Sequence, residues 1–412
     1  MNDLALFRPG PVFPIETAGE PRDAERVLQR NVRYLCFEGG GGKGVIFLGA
    51  IRALTARGVL QFRNGRLVPG AQIDGIAGSS AGALTAVLLS CGYDHRAIQS
   101  LIFGAYNFNR FFDQPSSPAR RPTVAGYDDD DHRPHLPWYL SPLTRVPISG
   151  SADDGAGAKL GSSRIVHYLL NLWRHMGAFS GCAAYDFFDR LIAMKAARLA
   201  GQANWRDYHG MTFEQHFQTF GIRLVLTGSN FETGKSAFFS AETCPNMRVA
   251  VAARISMSLP LIFKPVRISA ASARRLAGPP SNPLSISAND FEGVWVDGGY
   301  MNNLPQTAFS HLPGGRGRTL GFTLNDYGAS RKRIRGLADF LAAYAQLGMF
   351  GTGESHETAS TGVSDDRVAL MAGDASFQIG TIDFAFSPAQ RPHVARLITA
   401  AERAVLHYFD RP

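Results

Sequence analysis

Three clusters in this sequence have residue types and spacing suited to chemistry. Residues 39–44 read Gly-Gly-Gly-Gly-Lys-Gly, between an apolar run ending at Phe37 and another beginning at Val45. Bare backbone at a strand-to-helix junction presents a row of N–H groups to an anion, whether a phosphate or the oxygen of a reacting ester. Further on, Gly78-Ser79-Ser80-Ala81-Gly82 is a Gly-x-Ser-x-Gly sequence where a strand gives way to a helix. Small residues two positions either side of Ser80 allow the sharp turn of a nucleophile elbow, which lifts the hydroxyl above the sheet end. In the third cluster Val294, Trp295 and Val296 lead into Asp297, followed by Gly298 and Gly299. An aspartate delivered by such a strand is partly desolvated, and its basicity rises.

A serine hydroxyl is a weak nucleophile until a base takes its proton. Elbow serines are usually followed by an acid and then a histidine, an order that nominates His311, His356, His393 or His407. None of the four has a suggestive setting, since each lies in a polar stretch or on an amphipathic helix. Asp297 is the other candidate, although alone it equally fits a capping role in an Asp-Gly turn. The glycine run also satisfies Gly-x-Gly-x-x-Gly through Gly39, Gly41 and Gly44, the dinucleotide fingerprint. The ribose-binding acid expected about 20 residues later is missing, because residues 59–64 hold none. A P-loop is excluded because Lys43 is followed by Gly44 instead of Ser or Thr.

The elements that must position these residues alternate in type. Residues 32–37 read as a buried strand, 45–57 as a helix stopped by Gly58, 72–77 as a strand and 81–90 as a helix. This alternation predicts an α/β fold with a central, mostly parallel sheet and right-handed crossovers. Further strands are predicted at 223–227, 294–296, 319–324 and 381–386, and helices at 163–176, 185–199, 337–349 and 388–408. Residues 1–31 read as an N-terminal arm and 32–410 as one domain, interrupted by a Pro- and Asp-rich insertion at about 105–160 that could serve as a lid.

Composition narrows the function classes. The chain has 412 residues, 45% of them hydrophobic, enough to bury a large core, and a formal net charge of +8. The charge is scattered rather than blocked, which argues against nucleic acid as a partner and leaves attraction to anionic lipid surfaces open. Cys36, Cys91, Cys182 and Cys244 are dispersed without metal-ligand spacing and read as reduced core residues. Asp128 to Asp131 lack the alternation and terminal Glu of a calcium loop, so no metal or other cofactor is expected. Without a basic-then-apolar leader or a bilayer-length apolar run, the expected location is cytoplasmic or peripheral to a membrane, with signal-independent secretion open.

Taken together, the three clusters resemble the patatin-like phospholipase family. Gly39 to Gly44 match its glycine loop, Gly78 to Gly82 its Gly-x-Ser-x-Gly, and Asp297-Gly298-Gly299 its Asp-Gly-Gly. Residues 224–240, 251–266 and 381–409 carry softer similarity, and Glu38 stands where many members have Asp. The resemblance implies a three-layer α/β/α fold and lipid acyl ester hydrolysis of the phospholipase A or lysophospholipase type. It implies a Ser80–Asp297 dyad without histidine, Gly40, Gly41 and Gly42 as oxyanion donors, and Lys43 as an anion contact or loop anchor. The implied substrate is a phospholipid or other acyl lipid, met in transient contact with a membrane surface. A neutral-lipid esterase and an inactive lipid-binding protein are the alternatives. A side chain at Gly41, as in Gly41→Val, is expected to abolish turnover in a protein that still folds.

Overall fold

The computed structural model describes residues 32–105, 108–112, 172 and 175–410, apart from 280, 281, 283, 313, 316, 329–365, 382 and 384. The expected arm, most of the 105–160 insertion with Asp128 to Asp131, the 337–349 helix and His356 lie outside these residues, as does all of the 163–176 helix except Leu172, His175 and Met176.

Among the described residues eight strands form the main sheet: β1 (Tyr34–Phe37), β2 (Gly75–Gly78), β3 (Arg223–Asn230), β4 (Lys235–Phe239), β5 (Val266–Ile268), β6 (Gly293–Asp297), β7 (Thr319–Asn325) and β8 (Asp366–Met371). Their order is β8-β7-β1-β2-β3-β6-β5, with β4 paired to β3 as a hairpin. The centre is parallel: β7 with β8, β1 with β7, β1 with β2 and β2 with β3. At one side β6 runs antiparallel to both β3 and β5.

Successive side chains of a strand point to opposite faces, and the central strands obey this. Leu35, Phe37, Ile76, Leu224, Leu226, Leu320 and Phe322 join the larger core. There they meet helices α1 (Phe47–Ala56), α2 (Ala81–Ser90), α3 (Cys182–Leu199), α4 (Val249–Ser256) and α5 (Arg391–Asp410). Tyr34, Cys36, Ala77 and Val225 point the other way into a thinner layer built on the 3-10 turn Gln306–Phe309. Tyr34 stacks on Phe309 there, with ring centroids 4.5 Å apart. The result is the expected three-layer arrangement.

Two expectations change. The helix expected from residue 45 begins as a 3-10 turn, Gly41–Ile46, and becomes α-helical at Phe47. The strand expected at 381–386 does not form among the described residues. Their backbone is used against the glycine loop instead, where Thr381 O accepts the Gly42 N–H at 2.8 Å. Among the described residues no disulfide joins the four cysteines, and burial pushes the Cys91 and Cys244 thiols up to about 12.

Candidate active site

Parallel strands place their C-terminal ends on one edge, the usual location of sites in α/β sheets. β1 leads into the glycine loop, and β2 leads through Ser79 to Ser80. Ser80 caps α2 with φ 49° and ψ −119°. A non-glycine residue held there costs on the order of 1–3 kcal/mol, which surrounding contacts must offset. The turn closes only with glycine at position 82, where a Cβ would stand 2.0 Å from Phe37 O. The Ser80 N–H donates to Ser256 Oγ at 3.1 Å, and Ser79 N–H donates to Phe37 O at 3.2 Å.

Asp297 ends β6 opposite Gly228 of β3, while Gly78 of β2 lies opposite Leu226. This register brings the carboxyl level with the elbow. Asp297 is fully buried, and Oδ1 accepts the Gly299 N–H at 2.8 Å. Oδ2 is buried with no hydrogen-bond partner. Burial raises the pKa to about 7, against the downward pull of the Gly299 N–H and the Ser80 hydroxyl. The Ser80 hydroxyl thus lies near the Asp297 carboxyl, without a formed hydrogen bond to Oδ2. Contacts of this kind are often long in an unliganded site and tighten around substrate.

The glycine loop is held from three sides. Gly39 N–H donates to Asn303 O at 3.0 Å. Lys43 is buried and pairs with Asp326 at 2.6 Å, which favours the anchor reading over an anion contact. Gly41 adopts φ +58°, and a Cβ there would stand 1.8 Å from Thr381 O. Of the three donors that the resemblance implies, Gly42 gives its N–H to Thr381 O. No hydrogen bond reaches the buried N–H groups of Gly40 and Gly41 among the described residues. Buried orphan N–H groups are rare in folded proteins, so this pair is suited to a developing negative charge. Glu38 earns its extra methylene: Oε2 accepts the Leu324 N–H at 2.6 Å and Oε1 accepts Asn303 Nδ2 at 3.0 Å.

An apolar pocket opens beside these groups and runs between α1 and α2. Leu48, Ile51, Leu84, Leu88, Ile98 and Phe111 line its length, with Gly41, Gly42, Ser80, Met257 and Asp383 around the reacting end.

The described histidine candidates lie elsewhere. His311 pairs through Nε2 with Glu242 Oε2 at 2.6 Å, and Glu242 also holds Arg223 at the start of β3, the opposite end of the sheet. His393 is half-buried and contacts Arg396, and His407 lies in the last turn of α5. Sequence reasoning missed Ser256, Asn303 and Thr381. The apolar run around Ser256 and Ser258 was the available signal for the first, because two serines there must find polar partners.

Among the described residues no group of His, Cys, Asp and Glu could hold a metal, and no helix is long and apolar enough to cross a membrane. A probable lipid hydrolase, 463L, of Invertebrate iridescent virus 6 is 27% identical over 95 residues, which cover 23% of this chain and 25% of that protein. Among solved structures, VipD from Legionella pneumophila superposes with a TM-score of 0.46 at 15% identity, covering 92% of this chain and 67% of that one. The ExoU–SpcU complex of the Pseudomonas aeruginosa type III secretion system gives 0.36 at 17% identity, covering 93% and 52%. The chain thus spans a quarter of the viral relative's length and between half and two-thirds of those solved chains. The family model described as patatin-like phospholipase matches residues 35–310, from β1 through the glycine loop, Ser80 and Asp297. The chain belongs to the patatin-like phospholipase family.

Proposed function

We propose that this protein is a lipid acyl hydrolase of the phospholipase A or lysophospholipase type, acting through Ser80 and Asp297. The observation that carries the reading is the juxtaposition of a strained, buried serine with a desolvated carboxyl whose pKa is raised to about 7. A general base works best with a pKa near the working pH.

Asp297 takes the proton as Ser80 Oγ attacks the ester carbonyl carbon. The carbonyl oxygen gathers charge against the Gly40 and Gly41 N–H groups, and removing one such donor typically costs about 3 kcal/mol in barrier. When the carbonyl re-forms, the C–O bond to the alcohol breaks and the alcohol leaves with the proton. Water then attacks the acyl-serine and gives a proton to Asp297. The ester bond to Ser80 breaks, the proton returns to Oγ, and the fatty acid departs. Gly78, Gly82, Gly44, Gly298 and Gly299 serve this scheme as backbone geometry.

The apolar pocket supports an acyl chain as the bound portion. Membrane contact is supported by exposed side chains just past the strand ends of the same edge: Phe231 after β3, Tyr327 after β7 and Met371 at the end of β8. A neutral-lipid or general carboxylesterase is the second reading, favoured by a described pocket lining whose one charged side chain is Asp383.

The test is fatty acid release from phospholipid vesicles, lysophospholipid and triacylglycerol, with and without cell extract, using Ser80→Ala as control. Phospholipid or lysophospholipid release that vanishes in Ser80→Ala supports the reading. Release from triacylglycerol alone favours the second, and undiminished release by Ser80→Ala overturns both.

A further inference from the structure

Helical Ser and Thr side chains usually bond to a carbonyl one turn back, and this chain follows the habit. Thr55 Oγ1 donates to Ile51 O, Thr85 Oγ1 to Ala81 O, Thr219 Oγ1 to Gln215 O and Thr399 Oγ1 to Ala395 O. Ser256, the last residue of α4, is different. Fully buried, its hydroxyl oxygen accepts the N–H of Ser80, 176 residues earlier in the chain. Two residues on, Ser258 O accepts the N–H of Asp297 at 3.0 Å. One short turn therefore grips the serine of the elbow and the carboxylate strand at their own backbone N–H groups.

The turn is itself immobilised. Arg254 Nη1 donates to Ser258 Oγ, and Nη2 donates to Ser180 O and Lys264 O, each at 2.6 Å. Its guanidinium lies over the Phe263 ring at 5.7 Å. These bonds tie the turn to the ribbon formed by Gly177–Phe179 and Leu261–Phe263. Met257 and Leu259, from the same segment, line the apolar pocket.

We propose that Ser256-Met257-Ser258 is the positioning element of the site, fixing the separation of Ser80 and Asp297, with the Ser256 hydroxyl as its adjustable contact. The proposal rests on the Ser80–Asp297 reading above. Ser80 sits in a backbone conformation it would leave if free to do so, and its N–H heads a helix whose first N–H groups have no partner within the helix. Ser256 supplies that partner, and in doing so leaves Gly40 and Gly41 as the oxyanion donors. Its role is exerted through Ser80 and not on substrate, so losing the hydroxyl should lower kcat and leave KM in place.

The test uses the full chain with Ser256→Ala, and with Ser256→Thr and Ser256→Val as a pair of nearly equal volume that differ in the hydroxyl. Steady-state kinetics on a soluble ester, the rate of fluorophosphonate labelling and the melting temperature are measured for each. A misplacement near 1 Å costs about 100-fold, so kcat and labelling should fall about 10- to 100-fold in Ser256→Ala and Ser256→Val, with KM within about two-fold. Ser256→Thr should recover most of that loss. Equal activity of the Thr and Val variants overturns the proposal, even if Ser256→Ala fails to fold. A loss carried by KM, or one that follows melting temperature alone, also overturns it. If Ser80→Ala is labelled like wild type, the Ser80–Asp297 reading itself has failed; labelling that needs Ser80 but ignores the Ser256 hydroxyl defeats this inference alone.

Discussion

The two ends of the central sheet carry similar chemical groups and use them in opposite ways. At the N-terminal end Arg33 pairs with Asp74, and Glu242 binds both Arg223 and His311. Ser240 nearby is occupied by Thr243 and Glu242. An acid, a histidine and a serine are all present there, and Glu242 joins the arginine to the histidine, leaving only His311 Nδ1 of that group buried without a partner. At the C-terminal end the described pocket lining holds no histidine, but the serine is strained, and among the described residues one carboxyl oxygen is unpaired and two amide N–H groups are unclaimed. On the proposed reading, reactivity would follow the strain on Ser80 and the desolvation of Asp297, not the presence of an imidazole. Folding makes such an arrangement costly, and a protein retains it where something else completes it.

The sharpest way to break this contrast is to disable each end in turn. Ser80→Ala should lower ester hydrolysis about 10⁴-fold or more and abolish fluorophosphonate labelling, whereas His311→Ala should stay within about two-fold. The reverse result would move the active centre to the other end of the sheet.

Asp297 is tested by pH. With a carboxyl pKa of about 7, kcat should rise through that pH and level off above it, and Asp297→Asn should lose about 10²- to 10⁴-fold. Stability gives an independent sign. The folded carboxyl keeps its proton up to about 7, while the unfolded one releases it near 3.8. Unfolding therefore releases a proton between those values, and stability falls as pH rises across the window. Thermal melts should show wild type losing ground to Asp297→Asn from pH 4 to 7 and no further change above 8. Parallel curves throughout would mean that the carboxyl is not desolvated.

Gly41→Ala should cost about 10²- to 10³-fold in kcat. Because its Cβ meets the Thr381 carbonyl, it should also lower the melting temperature, so the expectation of an undisturbed fold for Gly41→Val is withdrawn. Gly58→Ala is the control, since its φ is also positive, at +71°, but nothing lies within 4 Å of the added carbon. It should cost about 1 kcal/mol of stability and no activity. The smallest effect belongs to the other end, where Glu242→Gln should change stability by about 1 kcal/mol and leave kcat unaltered in the same assay.

The parts of the fold visible in the sequence were those where one chain segment states its own requirements. β1, β2 and β6 are short apolar runs leaving into glycine or Ser80, and α2 begins and ends where small-residue punctuation says it should. Strand direction was not legible, because β6 has the same buried pattern whether parallel or antiparallel to β3. β8 escaped notice as an edge strand with alternating exposure and Asp366 and Arg367 at its start. The commitment of Gly42 and the grip of Ser256 were invisible for a different reason. Both depend on hydrogen bonds across more than 170 residues, and no local pattern encodes a partner that distant.

The Thr381 contact has a consequence for biosynthesis. Thr381 and Asp383, whose carbonyl oxygens back the glycine loop, and α5, which packs on α1, follow Asp297 in the chain and are made after it. Domains fold as the chain emerges, N-terminal parts first. The elbow and the carboxylate strand can thus meet while the loop between β1 and α1 still lacks its backing. A ribosome-bound intermediate ending before residue 378 should therefore carry Ser80 without a fixed glycine loop and resist fluorophosphonate labelling, which chains extended through α5 should accept.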